Sequence, residues 1–332
     1  DAYRKWMADF RDVQRPSGQL PGIVPTGGWG FNWGSGPAWD SAFILIPLYV
    51  WRYRKDKRLL EENWDAMERY MEYFGSMAEG YLADFGLGDW CAPKETVPCP
   101  SLLTDTGYYY ADACAMAEAA EVLGKDSSTY QELAANIRKA FRKKFIQNGL
   151  PQPEGQTALA CVLFHGLLDE GEKPAAAARL AQLVEENGFH IDCGILGNKY
   201  IYRALSDAGY GEVLYRMVTN PTYPSYAYWK EQGMTTLCEQ WGMGASLNHH
   251  MFSEVELWLY RYLAGIQADG KQIIIAPVFL KELDWVRASH LGIQVEWARE
   301  SITVTVPEPA LLRLPGQEIP LPAGTTTVSR KD

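Results

Sequence analysis

The chain has no Cys-x-x-Cys pair, no Gly-x-Ser-x-Gly elbow, no Walker loop and no dinucleotide fingerprint. Those absences remove the usual sequence signals for a zinc site, an α/β-hydrolase nucleophile, a phosphate cradle and a nicotinamide fold. Histidine is scarce, with five residues, and no third ligand lies at metal-binding spacing from the pair His249 and His250. No cofactor or metal is therefore expected. A stripe of Lys and Arg with interleaved aromatics is missing too, and the net charge is −10. A surface of that sign repels phosphate backbones, so nucleic acid is an unfavourable partner. No apolar run approaches the length of a membrane span, and no leader-like segment heads the chain. The six cysteines are scattered, which points to a reducing compartment and to the cytoplasm rather than secretion. Cys91 and Cys99 are close enough in sequence for a bridge, while Cys114 and Cys161 sit in apolar helical runs and read as core.

What is present is hydrophobic and aromatic: 47% of the 332 residues are hydrophobic, and twelve are tryptophan. That is ample for one large domain plus a small one. Tryptophans concentrate in the stretch Thr26 to Asp40, where five glycines and three tryptophans (Trp29, Trp33, Trp39) share fifteen residues. Glycine lets the backbone turn tightly near a ligand, and an indole in a loop needs a flat surface to cover. A sugar ring offers one. Two more tryptophan-and-acid pairs, Asp89-Trp90 and Glu239 with Trp241, stand in similar settings downstream.

Helical periodicity runs from residue 3 to 14 and stops at Arg15-Pro16-Ser17-Gly18. Residues 38–54 are almost continuously apolar and predict an inner helix, with 57–79 as an amphipathic helix outside it. The alternation continues through 104–123 (inner), 127–146 (outer), 156–168 (inner), 173–187 (outer), 199–208, 210–219, 224–231 and a final helix 246–264. Ten or eleven helices paired in this way describe an α/α toroid, an (α/α)6 ring of helical hairpins, about one helix short at the N-terminal end. From 272 the texture changes to strands, as in Gln272-Ile273-Ile274-Ile275 and Ser301-Ile302-Thr303-Val304-Thr305-Val306. The expected organisation is a helical barrel over 1–265 and a small C-terminal β-sandwich-like domain over 266–332.

Cleaving a glycoside takes two carboxyl groups flanking the bond. Glu239, between apolar neighbours and beside Trp241, is the best candidate for a partly desolvated base; its other reading is a cap or a solvated loop residue. Asp40 follows Trp39 just inside a helix start, where an aspartate is ordinarily a cap or dipole partner. Asp89 precedes Trp90 in a glycine loop. His249 and His250 open the final predicted helix, there to cap it, to face solvent or to donate to a ligand hydroxyl.

Several ordered motifs then carry a family resemblance. They include Gly36-Pro37-Ala38-Trp39-Asp40, Leu87-Gly88-Asp89-Trp90, Thr106-Gly107-Tyr108-Tyr109-Tyr110, Gly194-Ile195-Leu196-Gly197, Thr235-Thr236-Leu237-Cys238-Glu239-Gln240-Trp241 and Ser246-Leu247-Asn248-His249-His250. The set resembles the catalytic domain of bacterial α-L-rhamnosidases of glycoside hydrolase family 78 over most of residues 1–265, and the tail resembles that family's C-terminal β domain in shortened form. The resemblance implies an (α/α)6 barrel and an inverting hydrolase removing terminal α-L-rhamnose from a glycoside or oligosaccharide. It implies Glu239 as general base, Trp39 and Trp90 as pocket walls, His249 near the sugar, Trp241 beside the base, and Asp40 and Asp89 as pocket or structural acids. The family's general acid lies in a motif Asp-x-x-x-Arg-Asp-Glu-x-x-Gly-Trp-x-x-Asp, upstream of what matches residues 3–14, so the acid is expected outside this chain. A different α/α-toroid glycosidase, or a sugar-binding relative with weak catalysis, are the alternative readings.

Overall fold

The computed structural model describes residues 2–32, 36–93, 96, 99–268 and 272–330; Trp33 of the glycine-rich stretch lies outside them. Helix α1 (Ala2–Val13) buries Met7 and Phe10. After the glycine-rich loop come a single turn α2 (Pro37–Asp40) and α3 (Ala42–Arg54). The remaining helices are α4 (Arg58–Met77), α5 (Ser101–Leu123), α6 (Ser128–Phe145), α7 (Gln156–Phe164), α8 (Lys173–Glu186), α9 (Ile195–Asp207), α10 (Gly211–Val218), α11 (Tyr226–Glu231) and α12 (Glu254–Trp258), the last continued by a π-helical turn Leu259–Leu263.

Sequence character decides which helices go inside. α3, α5 and α7 are apolar nearly all round, so no face of them is suited to water. α4 and α6 carry one apolar stripe; in α6 it is Ala134, Ile137, Phe141 and Phe145, spaced three and four apart. The inner helices pack on one another in the order α3, α5, α7, α9, and each lies against its outer partner: α3 with α4, α5 with α6, α7 with α8, α9 with α10. The result is the expected toroid of hairpins. Its core forms two clusters, one around α3–α5 with Phe43, Tyr70 and Phe74, the other around α7–α12 with Tyr200, Trp241 and Trp258.

Three local expectations are corrected. The final helix begins at Glu254 rather than 246, because residues 246–249 bond back to residues 237–239 and so lose their helical partners. α9 begins at Ile195, four residues earlier than the periodicity predicts, because a side chain distant in sequence caps it. Two short hairpins, Ala78–Glu79 (β1) with Leu82–Ala83 (β2) and Ile146–Gln147 (β3) with Leu150–Pro151 (β4), join outer helices to the loops before the next inner helix. No helix among the described residues is long and apolar enough to cross a membrane.

The tail forms two four-stranded sheets. One holds β5 (Ile266–Ala268), β6 (Ile273–Ile275), β10 (Ala310–Leu314) and β11 (Gln317–Leu321); the other holds β7 (Trp285–His290), β8 (Ile293–Ala298), β9 (Ser301–Val306) and β12 (Gly324–Ser329). Ile275 and Leu312 of the first share a core with Val295, Trp297, Ile302 and Val304 of the second. The Trp297 indole N–H donates to Leu263 O at 2.7 Å, which ties this core to the end of the helical ring.

Candidate active site

The loops that precede the inner helices come together at one end of the ring. Gly36, just before α2, runs so close to the loop before α5 that a β-carbon there would stand 2.6 Å from Phe85 O, and its φ of 147° is one that L side chains rarely adopt. Gly194, just before α9, sits against the same loop; a β-carbon would lie 2.3 Å from Trp90 O. Ile195 N–H donates to that Trp90 O at 2.9 Å. Glycine is therefore required at both joints by close backbone approach.

Asp89 is the pin of this assembly. Its carboxylate accepts from Thr157 Oγ1 at 2.5 Å, from Gly194 N and Leu196 N at 2.9 Å, and from Gly197 N at 3.0 Å. Those amides are the N-terminal donors of α9, which a helix cannot satisfy by itself and whose dipole favours a negative charge. Burial pushes the Asp89 pKa up, while the hydroxyl and the three amides favour the ionised form. Four donors fill the lone pairs of the carboxylate, so Asp89 serves as a cap from outside its helix rather than as a sugar contact. Asp40 is likewise only 1% exposed and accepts from Gly36 N at 3.1 Å, bracing the start of α2. Of the two roles expected of these acids, pocket or structural, the hydrogen bonds seen are structural: Asp89 is taken up by three amides and a hydroxyl, and Asp40 by one amide.

Their tryptophan neighbours behave differently. Trp90 is 38% exposed at the rim, and Trp39 is half-buried on α2 in the neighbouring sector of that rim.

The third pair inverts this arrangement. Trp241 is 1% exposed. Its indole stacks on Trp229 with centroids 4.8 Å apart, packs against Tyr226 and Phe252, and donates its N–H to Cys193 O at 3.0 Å. Its ring and its N–H are thus engaged inside the protein, beside the Glu239 loop. Trp241 anchors the Glu239 loop to Cys193, next to Gly194 and so next to the Asp89-Trp90 turn.

Glu239 is half-buried, and its Oε2 accepts from Ser246 N at 3.0 Å, which orients the carboxylate. The backbone is clamped as well, with Glu239 N–H bonded to Ser246 O and His249 N–H to Leu237 O, each at 2.9 Å. This places Glu239 beside Cys91: the Cys91 thiol is pushed up to about 11, first by burial and then by the Glu239 charge. His249 lies on the other strand of the same clamp. Its Nδ1 accepts from Met251 N at 3.0 Å, which in the neutral ring leaves the proton on Nε2. The ring stacks on His250 at 5.3 Å between centroids.

Glu239 and His249 thus share one clamp, and its anchor at Cys193 adjoins the segment bonded to Trp90 O. Cys91 and the Ser246 amide lie by Glu239 and escaped sequence reasoning. A thiol directly after Trp90 is a signal open to notice; a backbone donor carries none. Cys91 and Cys99 are free thiols. Cys114, expected in the core, is exposed; it lines an open groove between α5 and α6 with Tyr110 and Arg138. Among the described residues no group of three His, Cys, Asp or Glu side chains is placed to hold a metal ion.

Residues 1–263 match the family model described as the bacterial alpha-L-rhamnosidase 6 hairpin glycosidase domain. The chain belongs to this family. It is 30% identical over 329 residues to an alpha-L-rhamnosidase of Streptomyces avermitilis, an alignment covering 91% of this chain and 31% of the relative. Among solved structures, the alpha-L-rhamnosidase of Dictyoglumus thermophilum superposes with a TM-score of 0.88 at 28% identity, over 98% of this chain and 43% of that one. The Streptomyces avermitilis enzyme complexed with L-rhamnose superposes with a TM-score of 0.90 at 25% identity, over 99% of this chain and 36% of that one. The chain spans about a third of the length of the curated relatives it matches.

Proposed function

We propose that this chain supplies the sugar pocket and the general base of an inverting α-L-rhamnosidase, with the general acid carried on polypeptide outside residues 1–332. The observation that carries the reading is the setting of Glu239 in a chain of this family. Its carboxylate is partly open to solvent, oriented by one amide and near Cys91, the residue that follows the exposed Trp90.

In this reading Trp90 and Trp39 cover the apolar face of the rhamnose ring, and the His249 Nε2 proton is donated to a sugar hydroxyl. Glu239 accepts a proton from water as the water oxygen bonds to the anomeric carbon. The glycosidic bond breaks at that carbon, and the departing oxygen takes its proton from the acid. Inversion needs the two carboxyl groups about 6.5–9.5 Å apart so that the water fits between. The natural gene product, hydrolysing a nitrophenyl α-L-rhamnoside under proton NMR, is expected to release β-rhamnose as the first anomer. α-Rhamnose first contradicts inversion, and no cleavage contradicts the substrate assignment.

A further inference from the structure

A left-handed backbone is costly for any residue other than glycine, because the β-carbon crowds the following carbonyl oxygen. Eight such residues stand at positive φ among the described ones. Five are where that conformation is routine. Lys55 caps the end of α3, Phe189 follows Gly188 just past α8, and Tyr81, Asn148 and Leu291 each share a two-residue hairpin turn with a glycine. The other three are Cys91 at 60°, Met243 at 59° and Ala245 at 58°. None of these ends a helix or sits in a two-residue hairpin turn. All three gather about Glu239: Met243 and Ala245 in its own loop, and Cys91 near enough to feel its charge. Backbone strain concentrated at one place in a fold is held there by its surroundings.

The surroundings here are the clamp. Residues 236–239 and 246–249 are joined by Glu239 N–H to Ser246 O and His249 N–H to Leu237 O, each at 2.9 Å, and by the Thr236 hydroxyl to Leu247 O. Between the two segments, Met243 N–H donates to Gln240 O at 2.9 Å and closes a turn. Gly244 lies so near Gln240 Oε1 that a β-carbon there would stand 2.5 Å from it. Ala245 is the last residue before the returning segment, and it is exposed, so its methyl repays nothing by packing. Its effect lies in the bond that follows. One peptide plane joins Ala245 to Ser246, and the N–H of that plane is the donor to Glu239 Oε2 at 3.0 Å. Turning Ala245 into the ordinary right-handed region swings the plane round and takes the N–H off the carboxylate.

We propose that Ala245, held left-handed, is a positioning residue for the reaction: it aims the Ser246 amide that orients Glu239. This rests on the reading of Glu239 as the base. Backbone preference at 245, rather than side-chain bulk, then decides turnover. In the natural gene product, Ala245→Val puts a β-branched residue where positive φ is needed. It is expected to lower kcat on an aryl α-L-rhamnoside about ten- to a hundredfold, the effect of a misplaced catalytic group, with KM unchanged. Ala245→Asn, of similar bulk but at ease at positive φ, is expected to recover most of that loss. The aim itself is read without turnover, from amide exchange at Ser246 by mass spectrometry with single-residue fragmentation. Exchange is expected to quicken in Ala245→Val and to stay slow in Ala245→Asn. Equal losses of kcat in the two variants, a loss carried by KM, or Ser246 exchange alike in both overturns the proposal. Glu239→Gln separates this from the base itself. If Glu239→Gln keeps turnover, the base assignment fails and Ser246 exchange alone decides whether Ala245 aims the amide. If Glu239→Gln loses turnover while Ala245→Val keeps it, the base stands and the role of Ala245 is overturned.

Discussion

Asp89-Trp90 and Glu239 with Trp241 are alike in composition and opposite in use. In the first pair the acid is buried, saturated by four donors, and the indole is exposed. In the second the indole is buried and saturated, and the acid is partly open with one amide on it. The difference comes from what lies opposite. Asp89 meets the unsatisfied amides at the start of α9, and those amides take the carboxylate. Trp241 meets Trp229, Tyr226 and Phe252, a ready-made aromatic box, and Glu239 is left at the rim. One acid builds the rim; the other is available to work on it.

The contrast breaks most visibly at Glu239. Glu239→Gln in the natural gene product is expected to lower turnover of an aryl α-L-rhamnoside by about 10²–10⁴-fold, the usual worth of a general base, with the melting temperature unchanged. Asp89→Ala is expected to act the other way round. It strands three amides and a hydroxyl, each unsatisfied group costing about 1–3 kcal/mol before water relieves some of it. Denaturant melts should show a loss of about 3 kcal/mol or more; a stability change as small as that of a surface substitution would show that Asp89 is not the pin.

The two indoles sharpen the comparison further. Trp241→Ala removes a buried ring and is expected to cost about 3–5 kcal/mol of stability. Trp90→Ala should leave the melt within about 0.5 kcal/mol, as for an exposed side chain, and raise KM about tenfold, the worth of a stacking contact of ~1.4 kcal/mol. Equal melts for the two variants would erase the distinction.

A third acid near this rim carries a pH dependence. Asp105 is fully buried on the first turns of α5, accepts from Phe85 N at 3.1 Å, and is pushed by burial from 3.8 to about 8. A folded state that holds this proton more tightly than the unfolded chain is most stable at low pH and loses that contribution as pH rises between about 4 and 8. Asp105→Asn should flatten the decline in melting temperature over that window; an unchanged slope would show that Asp105 is not its source.

Much of this was legible in the sequence where burial is periodic. The inner and outer helices follow from apolar spacing, and the toroid follows from their alternation. Contacts distant in sequence were not legible. The early start of α9 depends on Asp89, over a hundred residues upstream, and the late start of α12 depends on a clamp between residues 237–239 and 246–249. At the site, the three tryptophan-and-acid pairs were visible as sequence, but nothing local tells which member of a pair turns inward. That is decided by the partner across the gap: amide donors for Asp89, aromatic faces for Trp241.

The most direct test of the central claim is a crystal structure of the natural gene product with L-rhamnose bound. We expect one sugar ring over the Trp90 indole, its anomeric carbon facing Glu239 across the space of a single water. A rhamnose bound elsewhere with this rim empty, or one whose anomeric carbon faces away from Glu239, would contradict it.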